Sequence, residues 1–122
     1  MVEKFYISGP ITGRVNLNRE AFEKAENDLR ALGYDVFNPQ SIPPPTPWPK
    51  DPEHVWRYFM KACVKELPDC DSIFMLEGWR DSRGGRWEHD IAVMLGLRVY
   101  YPENQSSTTA REPSAGSIDL MQ

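Results

Sequence analysis

The sequence predicts an α/β domain, a parallel sheet covered by helices on both faces, and three observations predict it. Short apolar and aromatic runs alternate with stretches of helical periodicity. Two of the runs end in glycine-bearing turns that lead toward a helix. The chain, at 122 residues, has the length of one domain, able to bury about two thirds of its unfolded surface in a single core. Such an alternation calls for right-handed crossovers, and it gathers ligands where loops leave the C-terminal ends of the strands.

The first strand is the run Lys4 to Ser8, stopped by Gly9 and Pro10. Phe22, Ala25, Leu29 and Leu32 then recur at helical spacing, with Asn18 placed as N-cap, Leu17 and Phe22 as a staple across it, and Gly33 as the stop. Tyr34 to Phe37 is the second strand, closed by Asn38 and Pro39. Six of the eleven prolines fall between Ser41 and Pro52, which excludes regular structure there and predicts a long ordered flap or lid. A second helix begins at about Pro52, carries Val55, Phe59, Ala62, Cys63 and Leu67 on one face, and ends at Pro68. Ser72 to Leu76 is the third strand. Arg86 to Leu95 is a helix with Ile91, Met94 and Leu95 as its apolar stripe and Gly96 at its end, and Arg98 to Tyr101 is the fourth strand. Beyond Pro102 the composition turns to Ser, Thr, Glu, Pro, Gly and Gln. Residues 1–102 therefore read as the domain and 103–122 as a polar tail, flexible or ordered only against a partner.

A net charge of −4 and a pI near 5.2 give no basic face for a nucleic-acid polymer, so any phosphate recognition has to be local. There is no apolar run long enough for a membrane, and Met1-Val2-Glu3-Lys4 has neither the basic region nor the apolar core of a signal peptide; the expectation is a cytoplasmic protein. Cys63 and Cys70 lack a metal-type CxxC spacing and are expected to be free thiols. His54 stands alone. No metal site and no cofactor can be argued from these residues.

Two segments carry candidate chemistry. Ser8-Gly9-Pro10-Ile11-Thr12-Gly13 follows the first strand and would turn backbone N–H groups toward a phosphate or sugar. It matches neither GxxxxGK[ST] nor GxGxxG, and it reads equally as an ordinary strand-to-helix turn in which Ser8 or Thr12 is a cap. The second segment, Gly78 to Asp90, places Ser82, Gly84 and Gly85 ahead of a helix whose first turn would hold Glu88. Ser82 could donate to a phosphate, Gly84 would let backbone approach, and Arg83 or Arg86 could supply charge. Glu88 reads either as a nucleophile or base, or as a carboxylate in a favourable position near a helix N-terminus. His89 and Asp90 read as a solvated pair, and without a GxSxG elbow no Ser-His-Asp triad is assigned. Among the aromatics, Tyr6 and Trp79 sit where both loops could reach, whereas Trp48, Trp56 and Tyr58 read mainly as core or lid packing.

Tyr6 to Gly13, the Asp69-Cys70-Asp71 step, and the segment from Gly78-Trp79 through Ser82-Arg83-Gly84 to Glu88 together resemble the nucleoside 2-deoxyribosyltransferase superfamily. The likeness is greatest to its small nucleotide-hydrolase branch and related phage-type proteins, and it covers roughly residues 4–102. The resemblance implies a Rossmann-like (flavodoxin-like) three-layer sandwich with a parallel sheet of four to five strands, a homodimer or higher homo-oligomer, and cleavage of an N-glycosidic bond. It implies that Glu88 attacks the anomeric carbon, a carboxylate forming a glycosyl-enzyme intermediate. Ser82 falls where transferases on free nucleosides carry an aspartate and the monophosphate hydrolases a serine, which implies a nucleoside 5'-monophosphate as partner. Gly84 matches a glycine whose N–H meets that phosphate, and Tyr6, Gly9, Ile11 and Gly13 match positions lining sugar and base, with Pro10, Thr12, Arg83 and Trp79 beside them. The chain departs from the hydrolases at Cys63, where they carry an aspartate, and at Thr12, where they carry a basic residue that Arg14, Arg83 or Arg86 would have to replace. A deoxyribosyltransferase is the alternative enzyme, and the departure at Cys63 leaves open a nucleotide-binding accessory or sensor protein without catalysis.

Overall fold

The computed structural model describes residues 2–102. Four strands, β1 (Lys4–Ser8), β2 (Asp35–Phe37), β3 (Ser72–Met75) and β4 (Arg98–Tyr100), form one all-parallel sheet in the order β2-β1-β3-β4. Three helices supply the crossovers: α1 (Arg19–Ala31), α2 (Pro52–Val64) and α3 (Arg83–Met94). The strand order reverses direction between β1 and β3, and the loops leaving those two strands face one another at that point.

The side-chain alternation of β1 divides the interior. Phe5 and Ile7 point to one face, where they pack with Phe22, Ala25 and Leu29 of α1 and with Val36 and Leu76. Tyr6 points to the other face, into a core with Cys63 of α2, Ala92 of α3, and Ile73, Met75, Trp79 and Val99. Helices therefore cover both faces of the sheet, as the sequence predicts. The flap also holds, since no helix or strand occurs between residues 42 and 51.

Several local expectations are corrected. Asn18 occupies the N-cap position of α1 but in a left-handed conformation without a side-chain cap; its amide donates instead to the Pro10 carbonyl at 2.8 Å. Leu17 is half exposed, so the staple with Phe22 does not form, and Leu32 also faces solvent. Helix α2 stops at Val64, and Leu67 is buried from a separate 3₁₀ turn, Leu67–Asp69. Helix α3 begins three residues before the expected Arg86. Ser82 caps it by accepting from the Gly85 N–H at 3.0 Å, and this moves Glu88 out of the first turn. Its expected stripe holds only in part: Ile91 packs against the core, whereas Met94 and Leu95 are exposed, and the buried residues of the helix are Gly85, Glu88 and Ala92. Burying the Glu88 carboxylate on this face costs stability at that position.

Candidate active site

Glu88 is 6 % exposed. Both of its oxygens are held by β1: the Tyr6 hydroxyl donates to Oε2 at 2.5 Å, and the Ser8 hydroxyl donates to Oε1. Tyr6 and Ser8 are two residues apart on an extended strand, so their side chains share the face toward α3. Burial pushes the Glu88 carboxyl up to about 7, against the two hydrogen bonds that favour its ionised form. Burial, with the neighbouring Glu88 charge next in size, holds the Tyr6 phenol well above its ordinary value, so it stays a proton donor. The Cys63 thiol lies against the Tyr6 hydroxyl and near Glu88; desolvation raises it to about 12 and keeps it neutral.

The dipole reading of Glu88 is therefore set aside, because the carboxylate lies beyond the first turn of α3 and is bound by side chains across the sheet. Ser8, which the sequence offers as part of the first turn or as a cap, is instead bound to Glu88. The signal was present, since period-two alternation puts it beside Tyr6.

The two turns are joined by close contact. A Cβ on Gly9 would lie 2.7 Å from Cβ of Leu76, so the end of β1 meets the end of β3 only because residue 9 has no side chain. Pro10 is buried behind it, Ile11 is half-buried, and Thr12 and Gly13 are exposed at the mouth, Gly13 with φ of +84°. On the other side Ser82 and Gly84 are half-buried at the start of α3, and a Cβ on Gly84 would meet Met60 and Trp56 of α2.

Other residues are placed differently from expectation. Arg83 is committed to α2, donating to both carboxylate oxygens of Glu53 at 2.9 and 2.7 Å with its guanidinium 3.6 Å over the Trp56 ring. Arg86 donates to the Arg80 carbonyl at 2.8 Å. Trp79 is buried, stacked on His89 at 4.4 Å, and its indole N–H has no hydrogen-bond partner among the described residues. His89 and Asp90 are not a solvated pair: the imidazole is largely buried, between Asp90 at 3.1 Å and the Tyr101 hydroxyl at 2.8 Å. Trp48 is exposed, whereas Tyr58 donates to the Pro43 carbonyl and ties α2 to the flap.

Two surface clefts among the described residues lie away from Glu88, one of about 340 Å³ between α1 and the end of β2, and one of about 520 Å³ along α2. Neither is lined by the two glycine turns. Both cysteines are free thiols. Among the described residues no group of three or more His, Cys, Asp or Glu is placed to hold a metal ion, and no helix is long and apolar enough to cross a membrane. Residues 103–122, including Ser106 and Ser107, lie outside the described residues.

No curated protein matches the sequence. Among solved structures, the chain is similar to a 2-deoxyribosyltransferase from Bacillus psychrosaccharolyticus, with a TM-score of 0.60 and 27% identity over 80% of this chain and 70% of that one. It also matches the CMP N-glycosidase BcmB of Clostridium botulinum, with a TM-score of 0.49 and 13% identity over 81% of this chain and 70% of that one. The parallel sheet with its helices is thus the fold of a deoxyribosyltransferase. The family model described as a domain of unknown function, DUF4406, spans residues 3–101, and the chain belongs to that family.

Proposed function

We propose that this chain hydrolyses the N-glycosidic bond of a nucleoside or deoxynucleoside 5'-monophosphate, with Glu88 as nucleophile. The observation that carries this reading is the buried Glu88 carboxylate, held through both oxygens by Tyr6 and Ser8 where the sheet reverses its order. A carboxylate in a dry site gains reactivity toward a carbon that becomes cationic as its bond to nitrogen breaks. In the proposed step the Glu88 oxygen bonds to the anomeric carbon, the C–N electron pair leaves with the base, and water then cleaves the glycosyl ester to give the sugar phosphate. Tyr6 and Ser8 fix the direction of the carboxylate, and the departing base takes its proton from water.

In this reading the first turn, Gly9, Pro10, Ile11, Thr12 and Gly13, lines sugar and base, while Ser82 and Gly84 meet the phosphate. The Ser82 oxygen accepts from Gly85, which leaves its O–H to donate outward. Ser82 also adds no negative charge where a phosphate would sit. A homodimer belongs to the proposal, supported by the exposed apolar side of α3 formed by Trp87, Met94 and Leu95.

Incubation with a panel of nucleoside and deoxynucleoside 5'-monophosphates, followed by chromatography, should show free base, and Glu88→Gln should abolish it. No base release from any member would sink the proposal. A second reading, transfer of the sugar to another base, is favoured by the likeness to the Bacillus 2-deoxyribosyltransferase. Adding an acceptor base separates the two, because only a transferase forms a new nucleoside. Thermal stabilisation by a nucleotide without turnover would instead mark a binding protein.

A further inference from the structure

The proposed site needs a cation for the phosphate, and the charged residues around it are unequally available. Arg83 is neutralised by Glu53 and stacked on Trp56, and Arg86 is turned to a carbonyl of its own segment. Arg14 is different: the structure records no carboxylate partner for it among the described residues. Its guanidinium crosses from the β1 turn to the β3 turn, where it occupies the place that a Cβ on Gly78 would take. Gly78, at φ +88°, opens the 3₁₀ turn Trp79–Asp81 that leads into Ser82. The cation therefore lies over the start of the segment proposed to hold phosphate.

The backbone behind Arg14 is held in an unfavourable shape. Asn16, Leu17 and Asn18 are three successive non-glycine residues in the left-handed region, at φ of 51°, 56° and 60°. Leu17 costs about 1–2 kcal/mol there and the two asparagines less, and two side-chain bonds hold the loop: Asn18 to the Pro10 carbonyl at 2.8 Å and Gln40 to the Leu17 carbonyl at 2.7 Å. The loop thus holds an arginine that has no carboxylate partner among the described residues across to the β3 turn.

We infer that Arg14 is the specificity residue that distinguishes a 5'-monophosphate from a free nucleoside, its planar guanidinium donating to the phosphoryl oxygens beside Ser82 and Gly84. The inference rests on the proposed function, and the experiment separates the two. Arg14→Gln, Arg14→Lys and, as a control, Arg98→Gln from the start of β4 are compared with wild type. Each is given paired nucleosides and 5'-monophosphates, measured by base release and by titration calorimetry. Arg14 is exposed, so the variants should melt like the parent.

The expected result is a loss of about tenfold or more in kcat/KM for monophosphates in Arg14→Gln, an intermediate loss in Arg14→Lys, and nucleoside values unchanged within about twofold. Equal losses on both substrate types, or no loss on either, would overturn the assignment while leaving the N-glycosidase intact. Should wild type release no base, the function fails but calorimetry still decides the role of Arg14: selective weakening of monophosphate binding by about tenfold in Arg14→Gln supports it. Absence of monophosphate binding by wild type overturns both.

Discussion

Replacing Glu88 with glutamine should stabilise the protein at alkaline pH while removing its proposed chemistry. Burial raises the Glu88 carboxyl from 4.5 to about 7, so between those values the folded chain binds a proton that the unfolded chain has already released. The sign follows: this group's contribution is most favourable below pH 4.5, declines as pH rises, and is fully unfavourable above about 7. At about 1.4 kcal/mol per pH unit the cost at pH 8.5 is about 3 kcal/mol, an upper figure for a site that relaxes. Glutamine is close to isosteric, has no proton to lose, and can accept from one of the Tyr6 and Ser8 hydroxyls while donating to the other. Denaturant unfolding of both proteins at pH 4.5 and pH 8.5 would measure it. The variant should match wild type in acid and exceed it by about 2–3 kcal/mol in base, a difference worth on the order of 10 °C in Tm. A difference independent of pH, or a variant less stable than wild type at pH 8.5, would refute the placement of an ionisable Glu88 in this core.

Three further outcomes follow from the same contacts. If Glu88 acts as an ionised nucleophile, kcat/KM for base release should rise with pH through about 7, and Tyr6→Phe, which removes a hydrogen bond favouring the ionised form, should shift that midpoint upward and reduce the rate at pH 7 by about tenfold; an unshifted profile would contradict the role of Tyr6. Gly9→Ala should lower stability by about 1–3 kcal/mol in a thermal melt, because the new methyl would press on Leu76, and a neutral effect would mean that the two turns are not in contact. The thiols of Cys63 and Cys70, raised to about 12 and about 11 by burial, should stay unreactive toward a disulfide reagent at pH 8 until denaturant is added; titration of either in the native protein would show that it is not enclosed.

The sheet was legible because parallel strands are buried on both faces and read as short apolar runs: each of the four was placed to within one residue at either end. Glu88 and Ser82 were legible as motif positions, but their environments were not. The start of α3 was set too late, since nothing local reveals that Ser82 caps the Gly85 N–H, and the later start made Glu88 look like a first-turn carboxylate. Of the stripe Ile91, Met94 and Leu95 only Ile91 turns to the core, because apolar spacing marks a side of a helix and not which side the sheet will take. Arg83, Arg86 and Arg14 are interchangeable by sequence; the structure separates them by pairing Arg83 with Glu53, thirty residues away, and turning Arg86 to the Arg80 carbonyl. Ser8 reads in the sequence as a turn residue or cap, because only the packing of α3 on β1 brings its hydroxyl to Glu88.

Strand β1 gives Phe5 and Ile7 to the packing of α1, and Tyr6 and Ser8 to Glu88. Its register with β3, Tyr6 opposite Ile73 and Ser8 opposite Met75, is consequently an alignment of two systems at once. Inserting or deleting a single residue within these five would turn Phe5 and Ile7 toward the carboxylate and the two hydroxyls into an apolar layer. Sequence drift in this strand is thereby confined to exchanges that respect parity, and a family member that has lost its hydroxyl pair can keep the fold, whereas one that has slipped the strand can keep neither.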